Sequence, residues 1–350
     1  MTTTGNPISA AASRRMPAEW ERQGAVLLAF PPAGSDWDPY LAEARTCVAA
    51  ITAAILPRCQ VVIMAEPADA ADAARACPGA TIAAQPLNDT WVRDYGPFTV
   101  IEDGRAVLLD FGFNGWGLKF PADQDNQATA RLHAAGHLGR APRQVPGLWL
   151  EGGSIESDGA GTILTTTSCL LSPNRNPHLD RAGVEAALAT HLGAQRVLWL
   201  NHGHLAGDDT DAHVDTLARL APNDTIVYVR CDDPTDEHYA ALTAMEAELL
   251  ALRTAAGQPY HLVPLPWAKP AYAADGHRLP ATYANFLIVN GAVLAPTYGD
   301  SVRDQAALAG IAAAFPGYTI TGIDCRVLIE QHGSLHCMTM QVPAQVFDRG

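Results

Sequence analysis

The chain has 350 residues, 48% apolar and 17% charged, enough to bury one large core or two ordinary ones and too apolar to be disordered. Against 37 Asp and Glu stand 23 Lys and Arg, a net charge of −14 that disfavours nucleic acid and anionic membranes as partners and favours a small cation. The longest apolar stretch, 47–57, is about half of what spans a bilayer, and seven scattered cysteines without a CxxC pair suit a reducing, cytoplasmic setting.

Residues 1–15 read as a loose leader in which Arg14-Arg15 is not followed by the apolar run of an export signal. Short runs of Val, Ile, Leu and Thr predict strands at 25–30, 60–64, 106–111, 162–166, 196–200, 225–229, 285–289, 292–295, 318–323 and 326–329. Amphipathic spacing predicts helices near 39–56, 126–138, 178–192, 235–256 and 301–314, the fourth framed by Pro234-Thr235 and Gly257. Strand pairs thus alternate with single helices about every 70 residues, with no Pro/Gly/Ser-rich linker, so a single catalytic domain over 16–350 is expected. Neither GxGxxG nor GxxxxGK[ST] follows a strand, and nothing supports a nucleotide-binding sheet.

Unusual chemistry collects in four segments at the ends of apolar runs or in loops. Asn88-Asp89-Thr90-Trp91-Val92-Arg93-Asp94 concentrates two carboxylates, an arginine and a tryptophan, though a surface turn with an Asp–Arg pair would look the same. Glu151 precedes Gly152-Gly153, where glycines let backbone and ligand approach closely; a plain turn is the bland alternative. The run from His202 and His204 through Asp208, Asp209, Asp211, His213 and Asp215 invites a metal, since imidazole and carboxylate suit Zn, Fe or Mn. Against that reading, it has no HExxH and no second His-rich cluster. The fourth segment, His332-Gly333-Ser334-Leu335-His336-Cys337, puts a cysteine among polar neighbours that could favour its thiolate, the attacking form. Cys47, Cys59, Cys77 and Cys169 sit among apolar or Ala-rich neighbours and read as core residues. Ser172 to Pro177 reads as a structural loop.

Taken in order, the segments resemble the agmatine deiminase family of the peptidyl-arginine-deiminase-like, guanidine-modifying group. The resemblance runs through Met16-Pro-Ala-Glu-Trp-Glu, Asn88-Asp-Thr-Trp-Val-Arg-Asp, Phe113-Asn-Gly-Trp-Gly and Leu150-Glu-Gly-Gly-Ser-Ile. It continues in Asn174-Arg-Asn-Pro, Thr210-Asp-Ala-His-Val-Asp, Tyr283-Ala-Asn-Phe and His336-Cys-Met-Thr. The family implies an α+β fold, the pentein or α/β propeller of five ββαβ units around a central site. It also implies Cys337 as nucleophile, His213 as general acid/base and Glu151 beside it. Asp94 and Asp215 are then the carboxylates that hold a guanidinium, with Trp91 and Asp89 on the substrate side. The implied reaction is hydrolysis of agmatine to N-carbamoylputrescine and ammonia, a step in polyamine formation, with no metal or organic cofactor; a homo-oligomer is left open.

Two departures stand out. His332-Gly333-Ser334-Leu335 replaces the family's glycine run, and Glu156-Ser157 stands where many agmatine-specific members carry His and an apolar residue. Both bear on the substrate tail, so arginine, peptidyl-arginine or another alkylguanidine stays open. A metallohydrolase on the His202–Asp215 run and a non-catalytic pentein scaffold are the readings from other classes.

Overall fold

The computed structural model describes residues 14–348. Four of its sheets begin with an antiparallel strand pair whose second strand is followed by a helix and a returning parallel strand. In the clearest, Ile155–Ser157 pairs with Thr162–Thr166, the helix Arg181–Leu192 follows, and Arg196–Leu200 returns parallel to Thr162–Thr166. The same plan joins Ala218–Ala221, Thr225–Val229, the helix Tyr239–Ala251 and His261–Leu265. It recurs in Leu287–Val289, Ala292–Thr297, the helix Ser301–Ala314 and Thr319–Asp324, and in Phe98–Glu102, Arg105–Leu109, the helix Ala128–Ala134 and Arg143–Gln144. A fifth sheet draws on both ends of the chain: Met340–Pro343 lies antiparallel to Gln23–Ala29, and Gln60–Ala65 pairs parallel to it after the helix Leu41–Ile55.

Local sequence explains these units. Asp103-Gly104 and Asn290-Gly291 form two-residue hairpin loops with both φ values positive, the turn whose twist matches paired strands. Asp180 caps the helix Arg181–Leu192 by accepting from Gly183 N at 2.8 Å, and Gly193, at φ 71°, ends it in the left-handed region. The strands are apolar because both faces are covered; Thr162–Thr166 and Thr225–Val229 are buried throughout.

All five predicted helices are present. The expected strand at 326–329 is instead the helical turn Arg326–Ile329: Cys325, Leu328 and Ile329 are buried at helical spacing, and Asp324 accepts from Arg326 N at 3.1 Å. Of the expected leader, Arg14–Arg15 pairs with the strand Phe98–Glu102, and residues 1–13 lie outside the described residues. No helix among the described residues is long and apolar enough to cross a membrane.

In each of the five sheets, the segment just before the first strand of the antiparallel pair carries one or more polar residues of the site. These are Asp94 before Phe98–Glu102, Glu151 before Ile155–Ser157, and His213 and Asp215 before Ala218–Ala221. Asn285 stands before Leu287–Val289 and Cys337 before Met340–Pro343.

Candidate active site

Hydrogen bonds link these segments in a circuit. Gly153 N donates to Asp94 Oδ1 at 2.9 Å, His213 Nε2 meets Glu151 Oε2 at 2.9 Å, and Asn285 Nδ2 donates to the Asp215 carbonyl at 3.4 Å. Asn285 Oδ1 accepts from His336 N and Cys337 N, and Arg93 N returns to the Cys337 carbonyl at 3.2 Å. Six of the seven site residues expected from the sequence, Asp94, Glu151, His213, Asp215, Trp91 and Cys337, are each no more than 6% exposed.

Cys337, Asp94, Trp91 and Asp89 line a cavity together with Asp36, Trp116, Phe120, Asp208, Asp209 and His332. Among the described residues, no lysine or arginine lines it. Glu151, His213 and Asp215 are buried and off its lining; Glu151 therefore does not point into the cavity but holds His213. Arg175 fixes Glu151 in turn with Nε at 2.8 and 3.0 Å from its two oxygens, and reaches Asp211 at 2.6 Å. Its loop is structural, as expected, and its structural role is to hold Glu151.

Burial raises the cost of charge on His213, yet Asp94, at 3.6 Å from Nδ1, and Glu151 hold the imidazolium well above the ordinary histidine range. Burial likewise pushes Asp94 up, whereas His336 outweighs burial at Asp215 and lowers it. The Cys337 thiol is raised well above its usual value by burial and by the Asp215 and Asp94 carboxylates. Its Sγ donates to Asn285 Oδ1 at 3.4 Å, a contact that suits a thiol and not a thiolate. His213 Nδ1 and Asp215 Oδ1 are buried with no hydrogen-bond partner among the described residues. A Cβ built on Gly153 would meet His213 Nδ1 at 2.5 Å and both Asp215 Oδ2 and Asp94 Oδ1 at 3.0 Å. Gly153 therefore packs directly against an imidazole and two carboxylates, an approach that only a glycine allows.

The His202–Asp215 run does not assemble as one ligand set. His202 pairs with Glu248, Asp208 caps its own loop through Thr210 and Ala212, and Asp211 meets Lys119 and Arg175. Among the described residues, Glu151–Cys169–His213 and Glu19–Glu156–His336 are close enough to share an ion. In both, an arginine already neutralises a carboxylate: Arg175 on Glu151, and Arg219 on Glu19 and Glu156. Cys169, expected in the core, is buried but reaches Glu151 Oε2 at 3.7 Å beside the site. Glu156, expected near the substrate tail, bonds Arg219 Nε at 2.5 Å and is absent from the cavity lining.

Two contributors escaped notice as site residues: Asn285, which gathers the backbone of the Cys337 turn, and Trp116, whose Nε1 donates to Asp94 Oδ2 at 2.9 Å. Both lie in motifs already singled out, Tyr283-Ala-Asn-Phe and Phe113-Asn-Gly-Trp-Gly, which was the available signal.

The sequence profile of Porphyromonas-type peptidyl-arginine deiminases matches residues 15–343. The chain belongs to that family. A curated agmatine deiminase of Pseudomonas fluorescens (strain SBW25) is 34% identical over 356 residues, covering 94% of this chain and 95% of the relative. The solved structure of a Porphyromonas gingivalis candidate arginine deiminase is 49% identical with a TM-score of 0.89, covering 95% of this chain and 99% of that one. A Cys→Ser variant of C. jejuni agmatine deiminase with substrate bound is 34% identical, also with a TM-score of 0.89, over 96% and 98% of the two chains. These family members share the mixed α/β fold of this chain.

Proposed function

We propose that the protein hydrolyses agmatine to N-carbamoylputrescine and ammonia through a covalent intermediate on Cys337. The observation that carries this reading is that His213 Nδ1 and Asp215 Oδ1 are buried without hydrogen-bond partners among the described residues, next to the Asp94 that lines the cavity with Cys337. A planar cation suits the Asp94 and Asp215 carboxylates, which can take paired N–H bonds from a guanidinium, while His213 Nδ1, protonated in the imidazolium, is a donor for the departing nitrogen. Such anchoring would set the guanidinium carbon against Cys337 Sγ, where orientation supplies much of the rate.

In the free enzyme the cysteine is a thiol, and a bound cation offsets the two carboxylates that hold it so. The thiol proton leaves to solvent and the thiolate attacks the guanidinium carbon. His213 as imidazolium protonates the departing nitrogen, ammonia leaves, and an S-alkylthiouronium remains. Neutral His213 then takes a proton from water, whose oxygen attacks the same carbon. Collapse of that adduct releases the ureido product and Cys337. Glu151 fixes the ring so that Nδ1 faces the reacting atoms.

The same residues would serve arginine, and the 49% identity to a candidate arginine deiminase keeps that as the second reading. The cavity favours agmatine: Asp36, Asp89, Asp208 and Asp209 line it, with no arginine among the described residues to receive an α-carboxylate. We further infer that the five sheets close into a pentein ring with the circuit of site segments at its centre, over one catalytic domain. The seven free cysteines support a cytoplasmic location. Steady-state rates on agmatine, arginine and a C-terminal arginine peptide test the substrate. A kcat/KM for agmatine at least 100-fold above the others is expected, and a preference for either arginine compound overturns it.

A further inference from the structure

The N-terminal Met16-Pro-Ala-Glu-Trp-Glu motif has no part in the chemistry above, yet it delivers a carboxylate into the centre of the molecule. Glu19 is 7% exposed. Its Oε1 accepts from Ile288 N at 2.6 Å, and its Oε2 lies 2.8 Å from His336 Nε2 and 2.8 Å from Arg219 Nη2. His336, 1% exposed, places Nδ1 2.7 Å from Asp215 Oδ2. Arg219 Nη2 also lies 3.0 Å from His336 Nε2, and Arg219 Nε is tied to Glu156.

We propose that Glu19, acting through His336, is a positioning residue that aims the free oxygen of Asp215 at the substrate guanidinium. Asp215 Oδ2 needs a donor at His336 Nδ1, so that nitrogen carries a proton. The ring can swing about its side-chain bonds unless its far nitrogen is also held. Glu19 Oε2 holds it, and Glu19 is fixed by Ile288 N and Arg219 so that it cannot follow the ring. With Oδ2 thus occupied, Asp215 Oδ1 is left buried and unpartnered. The arrangement parallels Glu151 with His213: in each, a buried glutamate off the cavity lining fixes an imidazole. On this reading the first described segment of the chain is part of the catalytic apparatus.

The proposal rests on the guanidinium reading of the site, and binding to Cys337→Ser protein separates the two. Calorimetry of agmatine with four proteins is required: Cys337→Ser alone, then with Glu19→Gln, with Asp215→Asn, and with both. Glu19→Gln should weaken binding at least 10-fold in the presence of Asp215 and less than 3-fold once Asp215 is Asn, because its effect passes through that carboxylate. In otherwise native protein, Glu19→Gln should raise KM by a similar factor with an unchanged number of labelled Cys337 thiols per chain. Equal weakening in both backgrounds, or none in either, overturns the positioning role. No agmatine binding to Cys337→Ser itself overturns the substrate reading instead. If Glu19→Gln does not fold, His336→Gln enters the same cycle with the same two outcomes.

Discussion

The Cys337 thiol is placed against its own ionisation, with burial and two carboxylates opposing the charge it must carry. A neutral reagent meets that barrier in full, whereas a cationic one brings the charge that offsets it. Alkylation by 2-chloroacetamidine should therefore exceed alkylation by iodoacetamide by a far larger factor at Cys337 than on a free model thiol, read by peptide mass spectrometry. A ratio equal to that of the model thiol would mean that the cavity does not recognise the cation. Cys337→Ser should abolish turnover with an unchanged melting curve, since an alcohol forms no ready anion here. Asp89 supplies a pH dependence. Burial pushes its carboxyl up to about 6, so it lines the cavity as a neutral acid below that value and as an anion above it. KM for agmatine should fall as pH rises through about 6, and Asp89→Asn should flatten that limb. By linkage, a carboxyl raised in the folded state adds stability below its unfolded value and loses it as pH passes the folded one. Asp89→Asn should therefore also remove a decline in stability that runs from about pH 4 and levels off as pH passes about 6. Cys337, His213, Asp94 and Asp215 were legible because reactive residue types recur in ordered motifs. Glu19, Asn285 and Trp116 were not, because their roles are hydrogen bonds across long sequence distances. Glu156 misled for the same reason: the residue that neutralises it, Arg219, is 63 positions away.

At the scale of elements, the turn Gly152–Ser154 packs two adjacent glycines against different partners, backbone at Gly152 and site side chains at Gly153. A Cβ at Gly152 would lie 2.1 Å from the Arg93 carbonyl oxygen, which is backbone and cannot swing aside. Gly152→Ala should thus lower Tm, at the cost of about 1–3 kcal/mol or more typical of overpacking. The atoms nearest to a Cβ at Gly153 are side-chain atoms of His213, Asp215 and Asp94. Gly153→Ala should lower Tm as well, because those buried side chains are held by Glu151 and His336, and should also remove agmatine binding measured in the Cys337→Ser background; wild-type Tm and affinity would count against the close packing of Gly153 on the site. Element prediction succeeded where runs were long and bounded. The strands at 162–166, 196–200 and 225–229 and the helix at 301–314 coincide with the structure. It failed at Arg326–Ile329, where a short apolar run cannot declare its period, and it passed over Thr81–Ala84, Phe98–Glu102, Ile155–Ser157, Ala218–Ala221, His261–Leu265 and Met340–Pro343. Pairing was the larger blind spot, because Met340–Pro343 and Gln23–Ala29 meet from opposite ends of the chain.

For the molecule as a whole, the net charge of −14 continues into the cavity, where Asp36, Asp89, Asp208 and Asp209 face the approaching substrate. A dication diffusing toward such a surface gains encounter rate and local concentration from the long-range field. That field is screened over about 10 Å at roughly 0.1 M salt, whereas contacts to buried Asp94 and Asp215 are screened much less. Raising NaCl should therefore lower kcat/KM for agmatine and change kcat little. Zwitterionic arginine, carrying one net charge fewer on its tail, should show a shallower slope if it is turned over. Viscosity provides the control, because added sucrose slows encounter without screening charge. A salt slope that persists when kcat/KM is insensitive to viscosity locates the effect in binding, and a slope shared with a viscosity effect locates it in encounter. Replacing Asp208 and Asp209 together by Asn should flatten the agmatine slope if the cavity carboxylates carry it. An unchanged slope would assign the attraction to the remaining acidic surface. Identical slopes for agmatine and arginine would show that the acidic surface does not sense the substrate's tail.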